Sequence, residues 1–378
     1  MERRTGPLAG LGLAVGLQFD PEFWNGRRVF ITGHTGFKGS WMTYWLARMN
    51  AEVKSVALVP DTTPNMFDAL DIGSMCQHVI ADINDAARMR KELHDFAPEV
   101  VFHLAAQPLV RRSYDEPLLT FQTNVVGTAN VLDACRGCES VRSIVLITTD
   151  KCYENLEVKR PFRETDRLGG HDPYSASKAC SELVISSYRE SFFNPGDYQE
   201  HGVSISSARA GNVIGGGDWS EDRLVPDAVR AYTAGKSLEI RMPDAVRPWQ
   251  HVLEPLYGYL LLGQGCFQQG TEFGCAWNFG PADDNAVSVG SIVEMVAARW
   301  SEDANWNVQN KGSLKKESTT LILNSDLARD RLGWKVELSL DDALDMTVEW
   351  YKMFYDDCAG DTLRNVTDRQ VQRFVDSI

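Results

Sequence analysis

Short apolar runs rich in β-branched residues alternate with helix-length segments through the first half of the 378-residue chain. Five such runs occur, at residues 29–32, 53–58, 100–104, 143–148 and 204–208. Runs of this kind are typical of strands that are covered on both faces. Because strands separated by helices pair in parallel through right-handed crossovers, the pattern predicts an α/β fold with a doubly wound parallel sheet.

The first of these runs leads into a glycine-rich turn of the form G-x-x-G-x-x-G, which opens a predicted helix. The turn contains Gly33, Thr35, Gly36, Phe37, Lys38 and Gly39. Glycines let the backbone pass close to a pyrophosphate, whose charge is met by free N–H groups and the helix dipole. The position between a strand and a helix favours a Rossmann-type dinucleotide site over a merely structural turn.

The segment after the second run, residues 59–63, contains Asp61 and no arginine to meet a 2′-phosphate, so NAD is expected rather than NADP. Asp61 is a candidate ribose contact, but it is equally interpretable as a turn aspartate between Pro60 and Pro64. Further cofactor contacts are expected after the third and fourth strands. These are Asp82, Ile83, Leu104, Ala105, Ala106 and Gln107.

Tyr174 and Lys178 lie four residues apart on a predicted helix that follows Asp172. One helical turn separates them, and a nearby ammonium lowers the pKa of a phenol. A tyrosinate can then take a hydroxyl proton while a hydride leaves the same carbon. Such pairs also occur on ordinary protein surfaces, but the position after a dinucleotide turn favours a catalytic role here.

Thr149, Asp150 and Lys151 follow the fifth run, at the edge of the sheet where ligands bind. A hydroxyl, a carboxylate and an ammonium there suit a substrate oxygen and an acidic carbon. The alternative is a solvated loop with an Asp–Lys pair, and these residues by themselves do not decide between the two.

The pattern changes after residue 210, where Gly215–Gly217 and four scattered prolines indicate shorter elements. We expect an extension at residues 1–24, the dinucleotide-binding domain at 25–210, and a smaller lobe at 211–355, mainly for substrate, with some segments returning to the core. Helical signals recur at residues 289–299 and 340–351. The polar tail at 356–378 carries only weak periodicity.

A net charge of −14 gives no general attraction for nucleic acid or for an anionic membrane, so neither is expected as a partner. No stretch has the ~20 apolar residues of a membrane span, and residues 1–18 resemble a signal peptide only faintly because they lack an A-x-A site. Eight scattered cysteines fit a reducing cytoplasm. Cys135 and Cys138 have C-x-x-C spacing but no second pair, so we expect packed thiols and no metal site.

Together the glycine turn, residues 104–107 and 149–151, Tyr174 with Lys178, and residues 209–212 resemble the extended short-chain dehydrogenases, over roughly residues 25–350. Longer strings at residues 33–41, 150–153, 211–218 and 247–252 resemble the CDP-glucose 4,6-dehydratases in particular. Dehydratases of the dTDP type usually have Asp-Glu where this chain has Asp150 and Lys151, a departure that supports the CDP branch.

The resemblance implies a three-step reaction with NAD. Tyr174, activated by Lys178 and Thr149, deprotonates the C4 hydroxyl of the sugar while hydride passes to NAD. Asp150 protonates the departing C6 hydroxyl, Lys151 is the best candidate for the C5 proton, and hydride returns to C6. The net chemistry is loss of water, so the implied enzyme is a lyase of a deoxysugar pathway such as O-antigen lipopolysaccharide synthesis.

The resemblance also places substrate contacts at Gln107, Asn212, Arg223, Arg247 and Trp249. Arginine forks match phosphate oxygens, although surface arginines are usually only solvated. Trp249 packs either on the base or inside the lobe. A homodimer or homotetramer is implied, paired through the helix of Tyr174 and the one at residues 124–135.

Three rival interpretations stay open: a UDP-sugar 4-epimerase, another nucleotide-sugar dehydratase, and a dinucleotide-sensing regulator without chemistry. Epimerisation needs no acid for a leaving hydroxyl, which counts against the first. The presence of Thr149, Tyr174 and Lys178 counts against the regulator.

Overall fold

A seven-stranded parallel sheet forms the centre of the protein, as seen in a computed structural model that describes residues 16–155, 160–281, 286–308, 321–356 and 360–378. Residues 1–15 of the expected N-terminal extension lie outside the described residues. The strands, in chain order, are β1 (Arg28–Thr32), β2 (Glu52–Ala57), β3 (Gln77–Ile80), β4 (Val100–His103), β5 (Ser143–Ile147), β6 (Ser204–Ala210), β7 (Asn212–Ile214), β8 (Leu238–Ile240), β9 (Val246–His251), β10 (Ala276–Phe279), β11 (Ala286–Ser288) and β12 (Trp306–Val308).

The large sheet has the order β10-β6-β5-β4-β1-β2-β3, and every neighbouring pair in it is parallel. The strand order reverses between β1 and β4, which is the point where such sheets bind ligands. The predicted doubly wound fold is therefore confirmed, as are the five strand runs. β10 was not among the predicted strands, but as expected for some segments after residue 210 it returns to the core, where it pairs with β6.

Helices cover both faces of this sheet and build the rest of the protein. They are α1 (Phe37–Arg48), α2 (Met66–Ala69), α3 (Ala86–Phe96), α4 (Val110–Asp115), α5 (Pro117–Phe121), α6 (Gly127–Cys135), α7 (Pro173–Phe192), α8 (Tyr198–His201), α9 (Leu224–Thr233), α10 (Leu253–Gln269), α11 (Val289–Trp300), α12 (Leu340–Tyr355) and α13 (Gly360–Val375). A π-helical segment, Gln122–Val126, joins α5 to α6. The helices predicted at residues 289–299 and 340–351 correspond to α11 and α12.

Successive residues of the central strands enter two different hydrophobic cores. In β1, Val29 and Ile31 pack into one core, while Phe30 packs into the other. Side chains alternate across a strand, so a strand covered on both faces is apolar at most positions. This explains why the runs read as continuous apolar segments in the sequence.

The second lobe contains two small sheets, one with the order β11-β9-β7 and one pairing β12 with β8. β7 begins two residues after β6 ends and pairs in parallel with β9. This short connection carries the chain from the large sheet into the lobe, and it holds the lobe next to the carboxyl ends of the large strands.

The C-terminal tail, whose pattern left its structure open, forms α13 and packs on α1. Phe374 lies edge-on to Trp45, with 5.8 Å between ring centroids, and the Tyr44 hydroxyl donates to Asp368 Oδ1 at 2.6 Å. Burial of an aromatic residue contributes a large apolar area, which explains how a polar segment becomes ordered. Across the described part of the chain, no helix is both long and apolar enough to span a bilayer.

Candidate active site

One large cleft lies between the carboxyl ends of the parallel strands and the second lobe, with a volume of about 1630 Å³. Every residue that the sequence indicated as a site residue lines it. They are Gly33, Thr35, Gly36, Phe37, Lys38, Gly39, Asp61, Asp82, Ile83, Leu104, Ala105, Ala106, Gln107, Thr149, Asp150, Lys151, Tyr174, Lys178, Asn212, Arg223, Arg247 and Trp249. The fold thus brings together residues that are far apart in the sequence.

The glycine turn is shaped by two close backbone approaches. Gly33 adopts a φ of +82°, and a Cβ at this position would lie 2.6 Å from the backbone nitrogen of Ala105. A Cβ on Gly39 would lie 2.1 Å from the carbonyl oxygen of Gly33. Only glycine fits either position, because a Cβ would collide with backbone atoms at both. A side chain at Gly33 would also require a disfavoured left-handed backbone.

The turn presents the N-terminus of α1 to the cleft. Gly36 is the N-cap, and no side chain caps this helix end. The first N–H groups of a helix have no partner within the helix and carry the positive end of its dipole. The turn is therefore suited to the pyrophosphate of a dinucleotide, and residues of the neighbouring strand ends, including Asp82 and Ala105, line the same cavity.

Asp61 forms an ion pair that its local sequence did not indicate. Its carboxylate Oδ2 lies 3.0 Å from Nη1 of Arg112 on α4, although Asp61 itself is mostly exposed. The segment at residues 59–63 has no arginine of its own, but tertiary folding brings one to this end of the cleft. Asp82 accepts hydrogen bonds from the backbone and the side-chain nitrogen of Asn84, at 2.9 and 3.1 Å.

The Lys38 side chain points toward the reacting end of the cleft. Burial lowers the pKa of its ammonium to about 7, as does the positive charge of Arg223, while Asp150 opposes this shift. Its Nζ also lies 5.9 Å from the centroid of the Tyr259 ring. The sequence had indicated Lys38 only as part of the backbone turn. The presence of a lysine inside a glycine-rich turn was the available signal that its side chain also reaches the reacting end of the cleft.

Thr149 and Asp150 are held together at the end of β5. The Thr149 hydroxyl donates to Asp150 Oδ1 at 2.9 Å, and both side chains are buried. Burial raises the pKa of the Asp150 carboxyl above its ordinary value, partly offset by the charge of Lys151. Gly211 leaves room for this carboxyl, because a Cβ there would lie 3.0 Å from Asp150 Oδ2. Asp150 is therefore biased toward the protonated form, which is a proton donor.

Tyr174 lies in the first turn of α7, after an N-cap in which Asp172 accepts from the backbone N–H of Ser175. Burial raises the pKa of its phenol to about 12, and a hydrogen bond with Thr149 opposes this shift. The charge of Arg223 also lowers this pKa. The tyrosine is thus a neutral phenol next to groups that favour its ionisation.

Lys178 lies one helical turn from Tyr174, but its Nζ donates to the carbonyl oxygen of Ile147 at 3.2 Å. Burial lowers the pKa of this ammonium to about 8. From the sequence, the Lys178 charge was predicted to lower the pKa of Tyr174. In the structure, Thr149 and Arg223 are the groups that exert this effect.

The Gln107 side chain is committed to hydrogen bonds within the protein. Its Oε1 accepts from the backbone N–H of Leu109 at 2.6 Å, and its Nε2 donates to Leu109 O at 3.1 Å and to Thr120 Oγ1 at 2.8 Å. Gln107 was expected to contact substrate. That contact stays a prediction, and in the structure the amide also holds the loop before α4.

The expected substrate residues of the second lobe line the opposite wall. Arg223 is the N-cap residue of α9 and pairs with Asp218 through Nη1 and Oδ2 at 3.1 Å. Arg247 donates from Nη1 to the carbonyl of Val246 at 2.9 Å, and Asn212 is half-buried at the start of β7. Trp249 is 5% exposed and packs in the core of the lobe, so the interpretation that it packs inside the lobe fits its position best.

No group of His, Cys, Asp and Glu side chains suited to a metal ion occurs in the described ranges of the chain. Cys135 and Cys138 are buried free thiols in the core between the sheet and its helices.

Comparison with known proteins places the chain among nucleotide-sugar enzymes. The sequence model of the family described as GDP-mannose 4,6-dehydratase matches residues 30–347. CDP-glucose 4,6-dehydratase of Salmonella typhimurium is 46% identical over 333 residues, covering 88% of this chain and 92% of that protein. This identity confirms the resemblance that the longer sequence motifs indicated.

Two solved structures share the fold. A dTDP-glucose 4,6-dehydratase from Streptomyces venezuelae with NAD and TYD bound has a TM-score of 0.70 at 24% identity, covering 86% of this chain and 97% of that one. UDP-glucose 4-epimerase from Brucella ovis in complex with NAD has a TM-score of 0.73 at 21% identity, with 86% and 98% covered. Since the family match spans most of the chain and the Salmonella protein covers nearly all of it, this chain belongs to the family of nucleotide-sugar 4,6-dehydratases.

Proposed function

We propose that the protein is an NAD-dependent hydro-lyase that converts CDP-D-glucose to CDP-4-dehydro-6-deoxy-D-glucose. The observation that carries this proposal is the position of Thr149, Asp150 and Lys151, which line the same cleft as Tyr174 and the glycine turn. A proton acceptor for oxidation and a proton donor for elimination then face one substrate. The 46% identity to a CDP-glucose 4,6-dehydratase supports the choice of nucleotide.

NAD fits the glycine turn, whose missing Cβ atoms and uncapped helix end leave space and N–H donors for a pyrophosphate. When bound, it supplies reversible oxidation, taking a hydride from C4 of the sugar and returning it at C6. Asp61 is the proposed ribose contact of this site, and its carboxylate forms an ion pair with Arg112. The negative charge of Asp61 favours NAD over a cofactor with a 2′-phosphate.

Tyr174 is the proposed acceptor of the C4 hydroxyl proton. Burial raises the pKa of its phenol to about 12, so catalysis requires a larger positive potential than Thr149 and Arg223 supply alone. The Lys178 ammonium is one helical turn away and is a source of that potential once its bond to Ile147 is exchanged. The Thr149 hydroxyl donates to Asp150 Oδ1 and also lowers the pKa of Tyr174, so it acts on both proton-transfer groups.

Asp150 is the proposed acid for the departing C6 hydroxyl. A carboxyl whose pKa is raised by burial keeps its proton closer to neutral pH and gives it up to a basic leaving oxygen. Lys151, the next residue, is the proposed acceptor of the C5 proton, which it takes as a neutral amine and so becomes an ammonium. It is half-buried at the cleft wall, beside the carboxyl of Asp150.

The diphosphate of the substrate requires local cations because the net charge of the chain is −14. Arg223 and Arg247 are the proposed partners, since both line the lobe side of the cleft and arginine forks match phosphate oxygens. Asn212 adds an amide on the same wall. Trp249, which is mostly buried, forms the apolar bottom of this region of the cleft.

A 4-epimerase is the alternative enzyme, since an epimerase shares the fold at a TM-score of 0.73. That likeness bears on the fold alone. A buried carboxyl biased toward its protonated form has no task in epimerisation, where no hydroxyl leaves. Asp150 therefore favours dehydration over epimerisation, and over a regulator without chemistry.

We also propose a homodimer, or a homotetramer built from it, paired through α7 and the helix at residues 124–135, and we extend this interface to α5. Large apolar side chains are exposed there, with Leu118 84% exposed. The others are Leu119, Phe121, Val126 and Leu183. Clustered exposed apolar residues mark protein interfaces.

The seven described cysteines are free, which suits the reducing cytoplasm in which a deoxysugar or O-antigen pathway supplies nucleotide sugars.

The test is incubation of the purified protein and NAD with CDP-, dTDP-, UDP- and GDP-glucose, followed by measurement of 4-keto product from each. CDP-glucose should give the highest kcat/KM, with many turnovers and no net consumption of NAD. A preference for dTDP-glucose would remove the CDP assignment. Accumulation of one equivalent of free NADH per sugar would identify a simple dehydrogenase instead.

A further inference from the structure

An exposed ionic cluster at the wall of the cleft joins its two sides. Arg111 on α4 belongs to the half that holds the glycine turn, whereas Asp222 and Arg241 belong to the second lobe. Arg111 Nη1 lies 2.8 Å from Asp222 Oδ1, and Arg241 Nη2 lies 3.3 Å from the same oxygen. All three residues line the cleft. We refer to them as the bridging cluster.

The carboxylate in this cluster is held by an unusual backbone. Asp222 has a φ of +57°, a left-handed conformation that costs free energy in a residue other than glycine. Asp222 lies between the N-cap Arg223 and the loop that contains Asp218, so the strained residue stands directly beside a proposed phosphate ligand. The strain is offset by the two guanidinium groups that converge on one oxygen.

The cluster resembles an anion-binding site more than a structural ion pair. Two guanidinium groups that share one carboxylate oxygen form the arrangement in which arginines also hold a phosphate oxygen. The three side chains are 42%, 39% and 33% exposed, for Arg111, Asp222 and Arg241 respectively. Exposed ion pairs contribute little to stability and exchange partners readily. A stronger anion that enters the cleft therefore competes with Asp222 at small cost.

We infer that Asp222 is an internal substitute for the substrate diphosphate, and that Arg111 and Arg241 are further diphosphate ligands which Asp222 occupies in the free chain. This inference rests on the proposed function, because it takes the ligand to be a nucleoside diphosphate sugar. On binding, the diphosphate takes the two guanidinium groups and the Asp222 carboxylate turns to solvent. Arg111 then reaches the substrate from the side opposite to Arg223 and Arg247.

The inference predicts effects of opposite sign within one cluster. Arg111→Gln and Arg241→Gln remove a charge-assisted hydrogen bond to phosphate, so each should weaken the binding of CDP by about tenfold. Asp222→Asn keeps the size of the side chain and its tolerance of a left-handed backbone, and it removes the competing charge. It should tighten the binding of CDP by roughly twofold to fivefold.

Isothermal titration of the wild type and the three variants with CDP, CMP and cytidine tests this directly. Cytidine has no phosphate, so its affinity should not change in any variant. The matched control is Arg369→Gln, which breaks an ion pair of similar geometry, 2.8 Å to Glu349 Oε1, far from the cleft. The control should leave CDP affinity unchanged, and a thermal melt of each variant checks that it is folded.

Three outcomes of the CDP and cytidine titrations would overturn the inference: weaker CDP binding by Asp222→Asn, unchanged CDP binding in both arginine variants, or an equal loss for cytidine and CDP. The first would show that Asp222 supports the cleft instead of competing for it. UDP, dTDP and GDP are titrated in parallel, so that the effect of each variant on phosphate binding is measured with whichever nucleotide binds. If none of these nucleotides binds, the inference is also overturned. Failure of the proposed function is read separately, as absence of 4-keto product from wild-type enzyme and CDP-glucose.

Discussion

The carboxylate of Glu182 on α7 accepts two hydrogen bonds from the guanidinium of Arg209 on β6, at 3.0 Å from Nε and 2.7 Å from Nη2. Both side chains are under 5% exposed. The hydroxyls of Thr148 and Ser207 donate to the same carboxylate, and Arg209 also donates to the Tyr153 hydroxyl at 2.7 Å. This buried pair therefore connects the helix of Tyr174 with both ends of the loop that carries Asp150 and Lys151.

Glu182→Gln should destabilise the protein because it leaves the Arg209 charge buried without its partner. Removing one member of a buried pair costs about 3 kcal/mol or more. Urea unfolding of the wild type and the variant measures this loss. The double variant Glu182→Gln with Arg209→Met should recover part of the stability, since no unpaired charge then stays buried. If the two single losses simply add in the double variant, the pair is not coupled as the structure indicates.

Asp150→Asn and Lys151→Ala should slow formation of 4-keto product by roughly 10²-fold or more, the usual contribution of one general acid or base. Neither group takes the C4 proton in the proposed mechanism, so both variants should still oxidise the sugar on mixing. Stopped-flow absorbance of the reduced nicotinamide in the enzyme measures that step.

Tyr174→Phe is the matched comparison for these two variants. It lacks the proton acceptor for C4 oxidation, so the absorbance change on mixing should disappear together with the product. Wild-type turnover by Lys151→Ala would remove Lys151 from the mechanism. A normal absorbance change in Tyr174→Phe would remove Tyr174 from the first step.

Asp61→Asn should relax the preference for NAD. The substitution removes a negative charge from the ribose end of the cleft and releases Arg112 Nη1, which lies 3.0 Å from Asp61 in the wild type. We expect the ratio of kcat/KM for NADP to that for NAD to rise roughly fivefold to tenfold, the effect of one partly screened charge. Arg112→Gln, which keeps Asp61, should not raise this ratio. An unchanged ratio in Asp61→Asn would favour the interpretation of Asp61 as a turn residue.

Stability should fall in mild acid because His103 is buried in its neutral form. Its Nδ1 accepts from the Thr32 hydroxyl at 2.7 Å, and its Nε2 donates to Thr128 Oγ1 at 3.1 Å, since the Thr128 hydroxyl proton goes to Asn124 O. Burial lowers the pKa of His103 from 6.5 to about 3. The unfolded chain therefore binds this proton first as the pH falls below 6.5.

The resulting loss of unfolding free energy approaches about 1.4 kcal/mol for each pH unit below 6.5, and it continues until the pH nears 3. In His103→Gln the unfolding free energy should depend less steeply on pH, because up to one fewer proton is taken up on unfolding. Urea unfolding between pH 7 and 4.5 measures this slope. Between pH 7 and 8, the difference in stability between the two proteins should stay constant. Equal slopes in acid would show that His103 does not titrate between the folded and unfolded states.

The sequence determined the sheet and the cofactor turn because the physical causes of both are local. A strand covered on both faces is apolar at most positions, and this is visible in β1, β4 and β5 without any structure. The close approach of Gly39 to the Gly33 carbonyl is likewise local, whereas the backbone that Gly33 approaches, at Ala105, is distant in sequence. The longer sequence motifs that resemble the dehydratases then placed the second-lobe residues in one predicted active site with the Tyr174–Lys178 pair.

Interactions between segments distant in sequence were decided only by the tertiary structure. Arg112 reaches Asp61 across 51 positions and Arg111 reaches Asp222 across 111, so neither pair leaves a local pattern. The partner of Lys178 and the pKa directions of Asp150 and Tyr174 depend on burial, which is a property of the packed chain. The order of α13 depends on the aromatic surface of α1 that it covers, because its own sequence is too polar to specify a packed helix.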